Sequence, residues 1–256
     1  MRALETQLRA LRDSGRKALV PYLVAGSTDQ WVRHVEAAVL GGADAIEIGI
    51  PFSDPMMDGP VIQAAAQIAL ERSTTFESVC GELETLDVDV PLIAMTYYNV
   101  FLHHGLERAA GRLRAAGVLG AILPDLAMEE SNPWRESAGA VDLATILLVA
   151  PSTPADRAHR LAQASEGFTY AAARMAVTGV ARDDGDAARV VATIREASDI
   201  PVYVGIGVSR PVQAQELSKV SDGVIVGSAL VERIIGGSNV ADTESFVRSF
   251  RDALDE

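Results

Sequence analysis

AIEIGIPFSDPMMDGP, Ala45 to Pro60, runs from a strand pattern into a loop and stops where an apolar helix begins at Val61. With side chains alternating between two faces, Ile46, Ile48 and Ile50 form one apolar face, and Ala45, Glu47 and Gly49 form the other. A buried, unpaired carboxylate costs roughly several kcal/mol, so Glu47 among small residues points to use rather than packing. Pro51 ends the strand, and the loop behind it adds Asp54 and Asp58. A strand acid followed by a loop acid predicts an acid/base pair around one substrate.

The same strand, loop and helix order recurs on both sides. Strand-like segments lie at 18–25, 45–50, 91–96, 118–124, 143–150, 167–173, 201–207 and 223–227. The helical patterns that follow them cover 29–40, 61–72 with 76–86, 106–116, 128–138, 154–164, 186–197, 210–220 and 229–235. Eight units with fairly continuous apolar strands predict an α/β fold, a single eight-stranded parallel β/α (TIM) barrel. An extra N-terminal helix precedes it, and a last helix at 243–254 closes the chain. An open doubly wound sheet is the alternative that the pattern leaves. A chain of 256 residues suits one barrel domain, 1–256.

Composition narrows the function. A net charge of −13 with no Lys/Arg-rich run argues against nucleic acid and leaves any phosphorylated substrate dependent on local positive potential. The single cysteine, Cys80, reads as a buried helix residue and rules out an internal disulfide. The amino-terminal segment lacks the apolar core of a signal peptide, and no apolar run reaches membrane-spanning length, so the expected location is cytoplasmic.

In a barrel of this type the reactive residues sit at the carboxyl ends of the strands. Glu47 and Asp58 fall there in the second unit, Thr96, Tyr97, Tyr98 and Asn99 in the third, and Asp125 in the fourth. Thr178 and Gly179 fall there in the sixth, Gly205, Gly207 and Ser209 in the seventh, and Gly227 and Ser228 in the eighth. Glycines after strands seven and eight, with a helix beginning at the second, predict a phosphate cradle of backbone amides. No Lys or Arg lies within either motif; Arg174 and Arg210 are the nearest, and both read as solvated or structural. The two lysines, Lys17 before strand one and Lys219 at the end of a helix, cannot reach the barrel mouth, which excludes Schiff-base chemistry. His34, His103, His104 and His159 match no metal spacing, and the two on helices read as surface residues. No GxGxxG follows the first strand. Carboxylate acid/base chemistry on a small phosphorylated molecule survives.

Over essentially its whole length the chain resembles the tryptophan synthase alpha chain family. The matching stretches include Glu47-Ile48-Gly49-Ile50-Pro51-Phe52-Ser53-Asp54-Pro55, Asp58-Gly59-Pro60-Val61-Ile62-Gln63, Met95-Thr96-Tyr97-Tyr98-Asn99, Pro124-Asp125-Leu126, Gly205-Ile206-Gly207-Val208-Ser209 and Gly227-Ser228-Ala229. The resemblance implies cleavage of indole-3-glycerol phosphate to indole and glyceraldehyde 3-phosphate, without cofactor or metal. It also implies delivery of indole to a pyridoxal-phosphate beta chain in an alpha2-beta2 complex. By the same resemblance Glu47 shuttles protons, and Asp58 stabilises positive charge at the ring nitrogen. Tyr22, Phe52, Tyr97 and Tyr170 surround the indole, and Asp125 lies near the site. Thr178 closes over substrate, while Gly179, Gly205, Gly207, Gly227 and Ser228 hold the phosphate. Read from the residues alone, Asp125 equally suits a cap of the following helix. The chain departs from the family at Ala176, where glycine is usual, at Val100 and Ala127, where proline is usual, and at Ala173 and Met56-Met57. A stand-alone lyase releasing free indole and a non-catalytic subunit are the rival readings.

Overall fold

Each strand of this chain is followed by at least one helix, and the strands lie side by side in the order in which the chain makes them. The structure, a computed structural model, describes residues 2–172, 185–205 and 207–256. In chain order the elements are α1 (Ala3–Asp13), β1 (Ala18–Val24), α2 (Trp31–Leu40), β2 (Ile46–Gly49), α3 (Pro60–Glu71), α4 (Phe76–Leu83), β3 (Leu92–Met95), α5 (Tyr98–His104), α6 (Leu106–Ala115) and β4 (Val118–Ile122). A 3-10 turn (Met128–Glu130) leads to α7 (Asn132–Ala140), β5 (Ala144–Val149), α8 (Ala155–Ala164), β6 (Thr169–Ala172), α9 (Gly185–Ala197), β7 (Val202–Gly205), α10 (Pro211–Ser218), β8 (Gly223–Val226), α11 (Ser228–Ile235) and α12 (Val240–Asp255). All neighbours pair in parallel, and β8 returns to β1 through Ala18↔Gly223 and Val20↔Ile225, so the sheet closes into the expected barrel.

The alternation of the strands sorts the core into two shells. Ile46, Ile48 and Ile50 face outward into the layer shared with the helices, beside Leu19, Leu23, Trp31 and Val35. Inside the barrel lie Ala18, Val20, Ala45, Ile93, Ile122, Ile146, Tyr170, Tyr203 and Ile225. Leu4 and Leu8 of α1 join that inner cluster, so the N-terminal helix plugs the floor. Gly120 makes room for it, since a Cβ there would stand 2.7 Å from Leu4 Cδ2. Arg2 fastens the plug through a two-point contact with Glu166, at 3.0 and 2.9 Å.

Element boundaries differ from expectation where non-local partners or proline intervene. Helix α5 reads as loop in the sequence; its first amide, Tyr98 N–H, is held by Asp125 from a different unit at 2.9 and 3.1 Å. The helix expected at 128–138 is instead a 3-10 turn followed by α7, because Pro133 has no N–H to continue an earlier helix and stands at the start of a new one. His34, expected at the surface, is buried, and its Nδ1 lies 2.8 Å from Thr243 Oγ1 of α12. Cys80 is buried and free, as its helical position suggests, and burial pushes its thiol up to about 12. Among the described residues no helix is long and apolar enough to cross a membrane.

Candidate active site

Glu47 sits on β2 with its side chain inside the barrel, in register with Tyr22 of β1 on one side and Ile93 of β3 on the other. It is 1 % exposed, and its Oε2 has no hydrogen-bond partner among the described residues. Burial, followed by the nearby negative charge of Asp58, raises the Glu47 carboxyl from 4.5 to about 8. At neutral pH it is therefore a carboxylic acid with a proton to give. Tyr22 and Tyr170 are buried close by, and the charges of Glu47 and Asp58 add to burial in raising both hydroxyls well above their ordinary value. Two glycines admit these rings. A Cβ on Gly49 would overlap the Tyr22 hydroxyl, and a Cβ on Gly205 would overlap that of Tyr170.

The loop after β2 bends back over the mouth and brings Asp58 toward Glu47. A pocket at this end is lined by Tyr22, Phe52, Asp58, Ile62, Thr96 and Tyr97. Asp58 is half-buried, and desolvation raises its carboxyl from 3.8, whereas a hydrogen bond from Tyr97 acts in the opposite direction. That bond runs from Tyr97 Oη to Asp58 Oδ2 over 3.1 Å, and the same Oη accepts the Met57 N–H at 2.8 Å. The Tyr97 ring stacks on Phe52 with centroids 5.0 Å apart. Thr96 ties the third unit to the second by donating to the Ile50 carbonyl at 3.1 Å. Asp54 is exposed and accepts a bond from its neighbour Ser53 at 2.5 Å.

The two glycine turns lie against the same tyrosines. Gly205 ends β7 under Tyr170, and Gly227, at the end of β8, has Tyr22 Cβ as the nearest neighbour of a Cβ built on it, 3.6 Å away. Because β7 pairs with β8 through Tyr203↔Gly223 and Val204↔Val224, the two turns are adjacent. Gly207 has φ +92°, a conformation that favours glycine, and Ser228 is the first residue of α11. The first amides of a helix have no acceptor within it and carry its positive dipole end, so this corner offers N–H groups to an anion.

Among the residues expected at the site, Glu47, Asp58, Tyr22, Phe52, Tyr97, Tyr170, Gly205, Gly207, Gly227 and Ser228 gather at this end of the barrel. Asp125 does not line the pocket. Its carboxylate caps α5, two helices back in the chain, rather than the helix that follows it. Thr178 and Gly179 lie outside the described residues, as do Arg174 and Ala176. Lys17 donates to the Ser221 carbonyl at the amino end of β8, and Lys219 pairs with Glu216, so both stand away from the pocket. Among the described residues no group of three His, Cys, Asp or Glu could hold a metal ion. Sequence reading missed Ile62 of α3 as a pocket wall and the Met57 amide as a tether. The apolar spacing of α3 marks a buried face without saying what it faces, and a main-chain N–H leaves no mark in a sequence.

Residues 8–254 match the family model described as tryptophan synthase alpha chain. A tryptophan synthase alpha chain from Picosynechococcus sp. is 39 % identical over 99 % of this chain and 100 % of its own length. One from Alkalilimnicola ehrlichii is 43 % identical over 92 % of this chain and 88 % of its own. A chain of Mycobacterium tuberculosis tryptophan synthase superposes with a TM-score of 0.91 at 36 % identity, covering 99 % of this chain and 98 % of that one. The tryptophan synthase subunit alpha of Legionella pneumophila gives 0.90 at 30 % identity, covering 100 % and 99 %. With an inward acid on the second strand, a second acid on its loop and adjacent glycine turns at strands seven and eight, the chain belongs to the tryptophan synthase alpha chain family.

Proposed function

We propose that the cleavage of indole-3-glycerol phosphate, the reaction of this family of lyases, runs in this chain on Glu47 and Asp58. The observation that carries the reading is the buried Glu47 carboxyl, whose Oε2 has no hydrogen-bond partner among the described residues and which is held as an acid at neutral pH beside a second, less buried carboxylate. Glu47 gives its proton to the indole ring carbon that bears the side chain, which places positive charge on the ring nitrogen. Asp58, ionised, accepts the ring N–H and stabilises that charge. The Glu47 carboxylate then takes the proton of the hydroxyl on the adjacent chain carbon. The carbon–carbon bond breaks, its electron pair returns to the indole ring, and the hydroxyl carbon leaves as the aldehyde of glyceraldehyde 3-phosphate. Glu47 ends the cycle protonated, so acid and base are one group used twice.

Tyr22, Phe52, Tyr97 and Tyr170 form the aromatic surroundings of the indole, and Gly205, Gly207, Gly227 and Ser228 hold the phosphate, with Gly179 and Thr178 of the sixth unit as further contacts. Asp125 supports the site from the fourth unit. Residues 1–256 act as one barrel domain in the cytoplasm. The beta chain of tryptophan synthase is the partner that takes up indole, in an alpha2-beta2 complex.

Indole release measured against pH tests the reading. Glu47 must be protonated and Asp58 ionised, so kcat/KM forms a bell. Its basic limb falls near pH 8, where Glu47 loses its proton, and its acid limb lies above the ordinary Asp value of 3.8 because burial raises Asp58. Asp58→Asn is expected to lose most of kcat. A flat profile through pH 8, or undiminished kcat in that variant, contradicts the assignment.

A further inference from the structure

We propose that Tyr97 is a positioning residue, which sets Asp58 in place and keeps it ionised through its hydroxyl. This rests on the reading of Asp58 as the carboxylate at the ring nitrogen. One phenol oxygen bridges two consecutive loop residues, accepting the Met57 N–H at 2.8 Å and donating to Asp58 Oδ2 at 3.1 Å. Its ring stacks on Phe52, six residues before Asp58 in the same loop. Three points of the loop are thus held by one side chain from a different strand unit. Among the described residues, the stretch from Phe52 to Gly59 is otherwise held from outside by local bonds from Gln63, whose Nε2 donates to the Asp58 carbonyl at 2.8 Å and whose backbone N–H donates to the Gly59 carbonyl at 3.0 Å.

Tyr97 is itself fixed from behind. It is the residue before α5, whose first amide is held by both oxygens of Asp125. A line of contacts therefore runs from the loop after β4, through the start of α5 and the Tyr97 side chain, to Asp58. Among the described residues, the remaining titratable groups that face Asp58 are Tyr22 on β1, Glu47 on β2 and Tyr170 on β6. Among the described residues, Tyr97 alone donates a hydrogen bond to its carboxylate. Such a bond favours the ionised form and so works against the burial that disfavours it. With Oδ2 occupied by Tyr97, Oδ1 has no protein partner among the described residues and is the oxygen left for a ring N–H. A phenol suits the post because it is donor and acceptor at once, whereas phenylalanine keeps the stack and loses both bonds.

The test is Tyr97→Phe in the full chain, assayed for indole release from indole-3-glycerol phosphate between about pH 5 and about pH 9. We expect kcat to fall about tenfold or more, the scale of a lost hydrogen bond to a charge, with KM within about threefold. The acid limb of kcat/KM should move to higher pH. In an Asp58→Asn background the same substitution should cost less than about a further twofold, because Tyr97 acts through Asp58. A rise in KM alone with the acid limb unmoved, or a full additional loss in the Asp58→Asn background, would show that Tyr97 acts on the substrate and overturn the proposal. So would wild-type behaviour of Tyr97→Phe alongside an inactive Asp58→Asn. Wild-type turnover by Asp58→Asn itself would overturn the reading of Asp58 on which this proposal rests.

Discussion

Glu47 is useful for the same reason that it is destabilising. Its carboxyl titrates at about 8 in the folded chain against 4.5 in the unfolded one. Below pH 4.5 both states hold the proton and the group is neutral toward folding. Between 4.5 and 8 the unfolded chain ionises and the folded chain does not, so stability is lost as pH rises, and the loss is complete above 8. The linkage bounds the cost at about 5 kcal/mol. Glu47→Gln, which cannot ionise, is therefore expected to unfold like the parent in urea near pH 4 and to be more stable by up to a few kcal/mol near pH 9. An equal difference at both pH values would contradict the buried-acid description. Glu47 was legible in the sequence because period-two alternation isolates it on a face of small residues. The tether on Asp58 was not, because one of its partners is the Met57 amide and the other lies 39 residues along the chain.

At the scale of elements, the eight strand–helix units were legible because parallel strands buried on both faces read as continuous apolar runs. Their ends were less so, and α5 was not legible at all. Seven residues with two adjacent histidines make a weak helix signal, and the cap that secures this helix comes from Asp125, 27 residues beyond its first amide. Local patterns cannot show a cap supplied from another unit. Asp125→Ala should therefore destabilise the chain by about 0.5–2 kcal/mol and lower kcat, since α5 carries Tyr97 at its threshold. Asp125→Asn, which retains an acceptor oxygen, should recover most of both. The check is urea unfolding together with indole release in the two variants; equal losses in both would mean that the carboxylate acts by charge on the substrate rather than as a cap.

Closure of the barrel brings residues 22, 47, 58, 97, 170, 205 and 227 to one end, and the count of eight units made that gathering predictable. How the molecule holds its other end was hidden. Arg251 of α12 is buried and donates to Asp44 Oδ2 and to the Lys17 carbonyl, each at 2.9 Å. Asp44 also accepts the Leu19 N–H at 2.9 Å and Arg16 Nε at 2.7 Å. One carboxylate thus joins β1, the approach to β2 and the final helix, across 207 positions of sequence. Asp44→Ala removes the buried partner of Arg251 and leaves the guanidinium only the Lys17 carbonyl and the more exposed Asp255 carboxylate, which should cost about 1–3 kcal/mol in urea unfolding, with little change in KM; a loss below about 0.5 kcal/mol would contradict this role.

The measurement closest to the heart of the account is indole formation by Glu47→Gln set beside the binding of indole-3-glycerol phosphate to the same variant. A buried acid that both gives and takes the proton predicts that binding persists while indole formation disappears. Turnover close to that of the parent chain would mean that the proton comes from elsewhere and that the carboxyl on β2 is not the group that breaks the bond.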